Sequence, residues 1–350
     1  MKLKLKIIFV AIFVALLSSS CKKDKIEEPV AIEESDEEAK EEENDLPEEI
    51  PVKEGIPSPL SGIYAKEEKV NRRPVAVMFD NHNGARWQSG LKDAEIVYEF
   101  LVEAPYTRYM GIYLINDPSS IGPIRSARPY FITTALEYDA VYAHVGGSEQ
   151  AKSDIKSLKI ADIDGLSSSN KVFWRKKHKK MPHNLYSSME VLRATQEERK
   201  YKMTAEYTPF KFREDDLDIE GDIASKITIN YRKNNTTEYN YDIEKKNYTR
   251  KKDGKLHIDE MDESPIIAKN IIIQEAKTKV LDKEGRLEIQ VIGEGRGKYI
   301  TNGKTIDIKW VKKSRKDKTK YYNQEGKEIT FNPGVTWIQV VEPTTDIIIE

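Results

Sequence analysis

The chain has 350 residues, 33% of them charged, with a formal net charge of −2 and a single cysteine. One cysteine excludes a disulfide framework and a four-cysteine zinc site, and once that thiol is modified it excludes a cysteine nucleophile as well. The near-neutral total hides a lopsided distribution of charge along the chain.

Residues 1–21 read as an export signal. Lys2, Lys4 and Lys6 form a basic start, and Ile7 to Leu17 is unbroken apolar sequence. A core of about 11 residues fits a signal-peptide h-region and is too short to span a bilayer as a helix. Ser18, Ser19 and Ser20 then lead to Cys21. A small-residue run ending in Cys resembles the bacterial lipobox, in which cleavage precedes the Cys and its thiol carries diacylglycerol. The usual leucine sits one place early here, at Leu17. Several acyl chains together anchor stably where one does not, so the expected address is the outer face of a bacterial membrane.

Residues 22–59 form an acidic tether. Glu33, Glu34, Asp36, Glu37, Glu38, Glu41, Glu42, Glu43 and Asp45 come with almost no apolar content, and Pro47, Pro51, Pro57 and Pro59 follow. Like charges with nothing to bury predict an unfolded, extended spacer. The remainder is therefore net basic, which suits an anionic wall polymer, a lipid head group or an envelope protein as partner. Nucleic acid belongs to the wrong compartment.

Residues 60–205 predict an α+β domain around a mixed sheet. Val75 to Asp80 is a short apolar strand. Ala94 to Glu103 alternates and returns through Ala104-Pro105-Tyr106 as Arg108 to Ile115, a hairpin. Pro129 to Tyr138 reads as a helix with Pro in its first turn. Ala140 to Val145 is a strand, Gly146-Gly147 turns it, and Ser148 caps a helix to about Leu158. Met189 to Lys200 is a further helix. Residues 206–222 are a polar linker. Residues 223–345 predict a small, mainly antiparallel β domain, with strands near Ile227 to Tyr231, Asn270 to Gln274, Leu287 to Ile292, Ile306 to Trp310, Lys320 to Asn323 and Thr336 to Val341, separated by Gly-containing turns.

The polar residues that exceed a scaffold's needs lie at strand ends and turns, where mixed sheets place ligands. The candidate ligand-binding residues are Arg108, Arg125, Arg128, His144, Gly146, Gly147, Ser148, His183 and Asn184. Arginine forks suit carboxylate or phosphate, and a Gly-Gly turn into a helix presents backbone N–H groups to an anion. The expectation is that Arg108, Arg125, Arg128, His144 and His183 line one cleft beside Gly146-Gly147. A structural alternative pins Arg125 and Arg128 to Glu99 and Glu103. If the protein is an enzyme, its acid/base candidates are Asp80, Glu99, Glu103, His144 and His183. There is no Gly-x-Ser-x-Gly, His-Glu-x-x-His, P-loop or dinucleotide fingerprint. No cofactor is expected, and His178 with His183 is too weak a spacing to predict a metal.

Arg73-Pro74-Val75-Ala76-Val77-Met78, Gly122 to Tyr130, Pro182-His183-Asn184-Leu185-Tyr186 and Asn332-Pro333-Gly334-Val335-Thr336-Trp337 carry a family resemblance. The chain resembles the YerB-like bacterial lipoproteins over nearly everything after the tether. The resemblance implies a lipoprotein with an N-terminal domain and a smaller C-terminal domain, and it supplies no activity. Two functions stay open: a lipid-anchored binding protein for an anionic envelope ligand or protein partner, or a wall-acting hydrolase or transferase using a carboxylate–histidine site.

Cys21→Ala should abolish incorporation of a clickable fatty acid. Equal labelling of wild type and variant would contradict the lipobox reading.

Overall fold

A computed structural model describes residues 53–350; the signal sequence, Cys21 and the acidic run of the tether lie outside the described residues. Residues 53–350 form a single compact unit. Its backbone is built from β1 (Val75–Asp80), β2 (Ile96–Leu101), β3 (Thr107–Tyr113), α1 (Pro129–Ala135), β4 (Val141–His144), α2 (Glu149–Ser157), β5 (Asp162–Asp164) and α3 (Met189–Glu198). The C-terminal part adds β6 (Lys226–Arg232), β7 (Asn235–Asp242), β8 (Asn247–Lys252), β9 (Asn270–Glu275), β10 (Gly293–Thr301), β11 (Lys304–Lys312), β12 (Thr336–Val341) and β13 (Asp346–Ile349). No helix among the described residues is long and apolar enough to cross a membrane.

The fold is α+β, and its central sheet is mixed and eleven-stranded, in the order Asp222–Ile223, β11, β10, β9, β12, β2, β3, β1, β4, β5, with Lys320–Tyr322 added beside β11. The N-terminal mixed sheet and the C-terminal strands, expected as consecutive domains, thus share one sheet. Their seam is β12, which runs parallel to β2 on one side and to β9 on the other. That parallel pairing departs from the mainly antiparallel arrangement expected of the C-terminal strands. The six residues of β12 and of β2 are all buried, as a central strand covered on both faces requires.

One face of the sheet is covered by helices. Phe100 of β2 meets Phe131 of α1 edge-on with ring centroids 4.8 Å apart. The Tyr98 and Tyr138 hydroxyls share a buried hydrogen bond of 2.7 Å. Ser148 caps α2 by accepting from the Ala151 amide, and Ser188 caps α3 through Val191, each filling an orphan donor at a helix start.

The other face is covered by a second, six-stranded sheet whose path is Lys255–Leu256, β8, β7, β6, β13, with Ile267–Ala268 also paired to β8. β7, β8, β10 and β13 were not legible as strands. β10 carries three glycines, two of which lie where a side chain could not fit: a Cβ on Gly297 would meet the Ile273 carbonyl oxygen at 2.2 Å, and one on Gly295 the Trp310 indole at 2.5 Å. β8, Asn-Tyr-Thr-Arg-Lys-Lys, reads as a solvated segment but buries Tyr248, Arg250 and Lys252.

Those cations meet Glu99, which points from β2 into the space between the sheets and is fully buried. Arg250 Nη2 donates to Glu99 Oε2 at 2.5 Å, Lys252 Nζ to Oε1 at 3.2 Å, and the Thr107 hydroxyl to Oε1 at 2.7 Å. Burial alone would push the Glu99 carboxyl up; Lys252 and Arg250 outweigh it and hold it below its usual range. The Arg250 guanidinium also lies 4.5 Å from the Trp337 ring and 5.1 Å from the Tyr109 ring, a desolvated cation–π arrangement. Lys252 is pushed down to about 8, chiefly by burial, with Glu99 opposing.

Arg250 continues the network by donating from Nη1 to His257 Nδ1, whose Nε2 donates to Gln88 Oε1 at 2.8 Å. Those roles describe a neutral imidazole, and burial followed by repulsion from Arg250 pushes His257 well below its ordinary value. Above pH about 6.5 His257 is neutral folded or unfolded and contributes nothing to the pH dependence. Below it the unfolded chain takes up a proton that the folded chain refuses, so stability falls with pH at up to about 1.4 kcal/mol per unit. Chemical denaturation of His257→Gln from pH 7 to 5 should show a correspondingly shallower loss than wild type; parallel curves would contradict the assignment.

Candidate functional site

β1 ends where the antiparallel β3 begins, with Asp80 opposite Arg108 in register, so both side chains leave the same face of the sheet. Two loops cross this end. Residues 120–128 are tied down by the Asp80 amide donating to Pro123 O and the Arg125 amide to Met78 O; the loop bearing His183 is tied by the Ile124 amide donating to Leu185 O.

The first group of side chains surrounds Asp80. His183 Nδ1 donates to Asp80 Oδ2 at 2.7 Å, and Arg125 Nε lies 3.4 Å from the same oxygen. Asp80 Oδ1 accepts from the His82 amide at 3.0 Å. The His82 ring stacks on His183 at 4.2 Å with planes 8° apart, and Tyr106 leans on His82 at 4.8 Å. Burial, then repulsion from His183, lowers His82 from its ordinary value. The Asp80 side chain is 5% exposed, while Arg125 is 25% and His183 16% exposed, so Arg125 and His183, not the carboxylate, face solvent.

The second group surrounds Glu103, at the hairpin turn. Arg128 donates to Glu103 Oε1 from Nε at 2.7 Å and approaches it with Nη2 at 2.5 Å; Arg108 Nη2 donates to Oε2 at 3.4 Å. Arg108 Nη1 donates to Ser126 O at 2.9 Å, the residue that follows Arg125. Burial raises the Glu103 carboxyl, but Arg108 and Arg128 outweigh it and leave it lowered. Burial and the Arg128 charge push Arg108 down to about 10. Three arginines therefore meet two carboxylates at one strand end.

Asp80, Glu103, Arg108, Arg125, Arg128 and His183 come to this edge, and the structural alternative holds in part: Arg128 pairs with Glu103, whereas Arg125 pairs with Asp80. Glu99 lies in the buried layer between the sheets. His144 is turned away. It is 2% exposed, donates from Nδ1 to Gly146 O at 2.8 Å and places Nε2 3.3 Å from Asp162. The expectation that it lines the arginine cleft is corrected: one strand over, β5 supplies carboxylates that hold it inward. The Gly146-Gly147 turn is likewise occupied. The Gly146 amide donates to Asp164 Oδ1 at 2.7 Å and the Ser148 amide to Ala127 O at 3.4 Å, so two amides of the expected row are already in use, and the Ser148 hydroxyl caps α2. Asn184 fastens its own loop, donating to the Lys176 and Lys179 carbonyls. His82, within the polar run Asp80 to Asn83 at the strand end, and Tyr106 of the hairpin turn join the cluster without having been among the candidate site residues. No group of three His, Cys, Asp or Glu side chains among the described residues is placed to hold a metal.

Two family models match the chain: "Protein of unknown function (DUF3048) N-terminal domain" over residues 60–202, and "Protein of unknown function (DUF3048) C-terminal domain" over residues 227–338. The chain is 35% identical over 289 residues to the protein named "Putative lipoprotein YerB" of Bacillus subtilis, covering 82% of this chain and 86% of that one. It is also similar to the crystal structure of YerB protein from Bacillus subtilis, with TM-score 0.76 and 33% identity, over 84% of this chain and 99% of that chain. The two family segments and the relative agree on the same conclusion: this chain belongs to the DUF3048 family.

Proposed function

We propose that this is a lipid-anchored extracytoplasmic protein that binds an anionic envelope ligand at the strand-end arginine cluster. The name of its Bacillus subtilis relative and the signal sequence ending in Cys21 support the anchoring. The observation that carries the binding reading is the excess of cation over anion: Arg108, Arg125 and Arg128 around Asp80 and Glu103, with Arg125 partly solvent-facing. A phosphodiester-rich wall polymer or an anionic lipid head group meets that chemistry, and its affinity should fall as salt screens the cluster.

One observation favours a second reading. Asp80 orients His183 through Nδ1, which leaves Nε2 available as a general base, the orienter–base arrangement of hydrolytic sites.

Arg125→Ala should weaken binding of glycerol-phosphate polymer or phosphatidylglycerol vesicles by about tenfold or more, the worth of a charge-assisted hydrogen bond, without lowering the melting temperature. Unchanged binding, or a melted variant, would contradict the binding reading. Product release from wall polymer that is abolished by Asp80→Asn at unchanged affinity would establish the catalytic one.

A further inference from the structure

Between Gly165 and Met189 the chain has no aspartate or glutamate, and residues 171–180 within that stretch carry six lysine or arginine residues. A charge run of this kind is ordinarily a loose, solvated loop. Here its backbone is fastened. Trp174 and Arg175 pair antiparallel with Tyr186 and Leu185. Asn184 Nδ2 donates to the Lys176 carbonyl at 2.9 Å and to the Lys179 carbonyl at 3.0 Å, and Asn184 Oδ1 accepts from Arg175 Nη1 at 2.8 Å. Lys179 acts as a brace, its Nζ donating to Ala85 O at 3.0 Å, Trp87 O at 2.6 Å and Glu260 Oε2 at 2.9 Å.

Glu260 is the one acid among the described residues that is ion-paired with this segment, through Lys179 and His178. Lys171, Arg175, Lys176, Lys177 and Lys180 have no ion-pair partner among the described residues, and all of them except Lys176, which lies over the Tyr186 ring, are exposed. Holding five such cations on one ordered loop costs stability through their mutual repulsion, and a bound polyanion lowers it. The loop also abuts the histidine–arginine cluster. The His183 amide donates to Lys180 O at 2.9 Å, and the Ala85 amide, whose carbonyl receives Lys179, donates to His82 O at 2.8 Å.

We propose that residues 171–180 extend the anion site and that its ligand is a linear phosphodiester polymer, with one phosphate at Arg125 and further phosphates at Arg175, Lys177 and Lys180; this rests on the binding reading of the cluster. One flexible chain can hold the projecting lysines and still reach Arg125 and His183, which are only 25% and 16% exposed. A flat bilayer resting on the lysines cannot. Successive contacts by one chain are intramolecular, so affinity grows with chain length.

The test is fluorescence anisotropy with labelled glycerol-phosphate oligomers of two and about twelve units, using the mature chain carrying Cys21→Ala so that no lipid is attached. The long oligomer should bind about tenfold more tightly or better. Lys177→Gln combined with Lys180→Gln, at exposed positions, should remove most of that gain with two-unit binding and melting unchanged. It should also make the slope of log affinity against log salt shallower by about 1 to 2. Equal affinity for both lengths, full long-oligomer binding by the double variant, or displacement of the long oligomer by phosphatidylglycerol vesicles at equal phosphate concentration would each overturn the proposal. Arg125→Ala is read on the two-unit oligomer, so failure of the cluster reading and failure of this proposal show on different ligands.

Discussion

A buried carboxylate with two buried cations is the constraint on which the rest of this structure depends. Glu99 comes from β2 of the N-terminal family segment, and Arg250 and Lys252 from β8 of the C-terminal one. A charge taken out of water costs several kcal/mol unless it is paired and hydrogen-bonded. Neither segment can therefore bury its own partner alone. The seam along β12 supplies backbone hydrogen bonds, while the ion network fixes how the second sheet lies across the first. Gln339 of β12 tightens the same layer, accepting from the Tyr231 hydroxyl at 3.0 Å and donating to the Tyr239 hydroxyl at 2.9 Å.

The network also reaches the candidate site. The Thr107 hydroxyl, bonded to Glu99, accepts from Asn81 Nδ2 at 2.7 Å, next to Asp80. Gln88, bonded to His257, donates to the Asp80 carbonyl at 2.8 Å. Asn235 accepts from Lys252 and donates to the Pro105 carbonyl in the hairpin turn that carries Glu103. The two carboxylates that organise the arginine cluster are thus held from below by the C-terminal sheet, which gives that sheet a role in positioning the cluster.

Much of the N-terminal architecture was legible because its signals are local: the apolar run of β1, the alternation of β2, Pro129 in the first turn of α1 and the Ser148 cap. β7 and β8 were not, because polar and charged side chains ordinarily mark solvent, and only a partner distant in sequence makes Arg250 and Lys252 interior residues. The shared sheet was hidden for the same reason, since parallel pairing of β12 with β2 leaves no mark in either strand. In the site, position at a strand end was readable and side-chain direction was not. Asp80 and Arg108 share a face through register, whereas His144 turns toward Asp162 and Asp164, which no spacing foretells.

The most direct test of this account is equilibrium urea unfolding of Glu99→Ala, followed both by far-ultraviolet circular dichroism and by tryptophan fluorescence. Removing the one anion strands Arg250 and Lys252 in the interior, so stability should fall by about 3–5 kcal/mol, with both signals moving in a single coincident transition. A loss below about 1 kcal/mol, or two separate transitions with the C-terminal sheet unfolding alone, would show that the segments do not depend on this network.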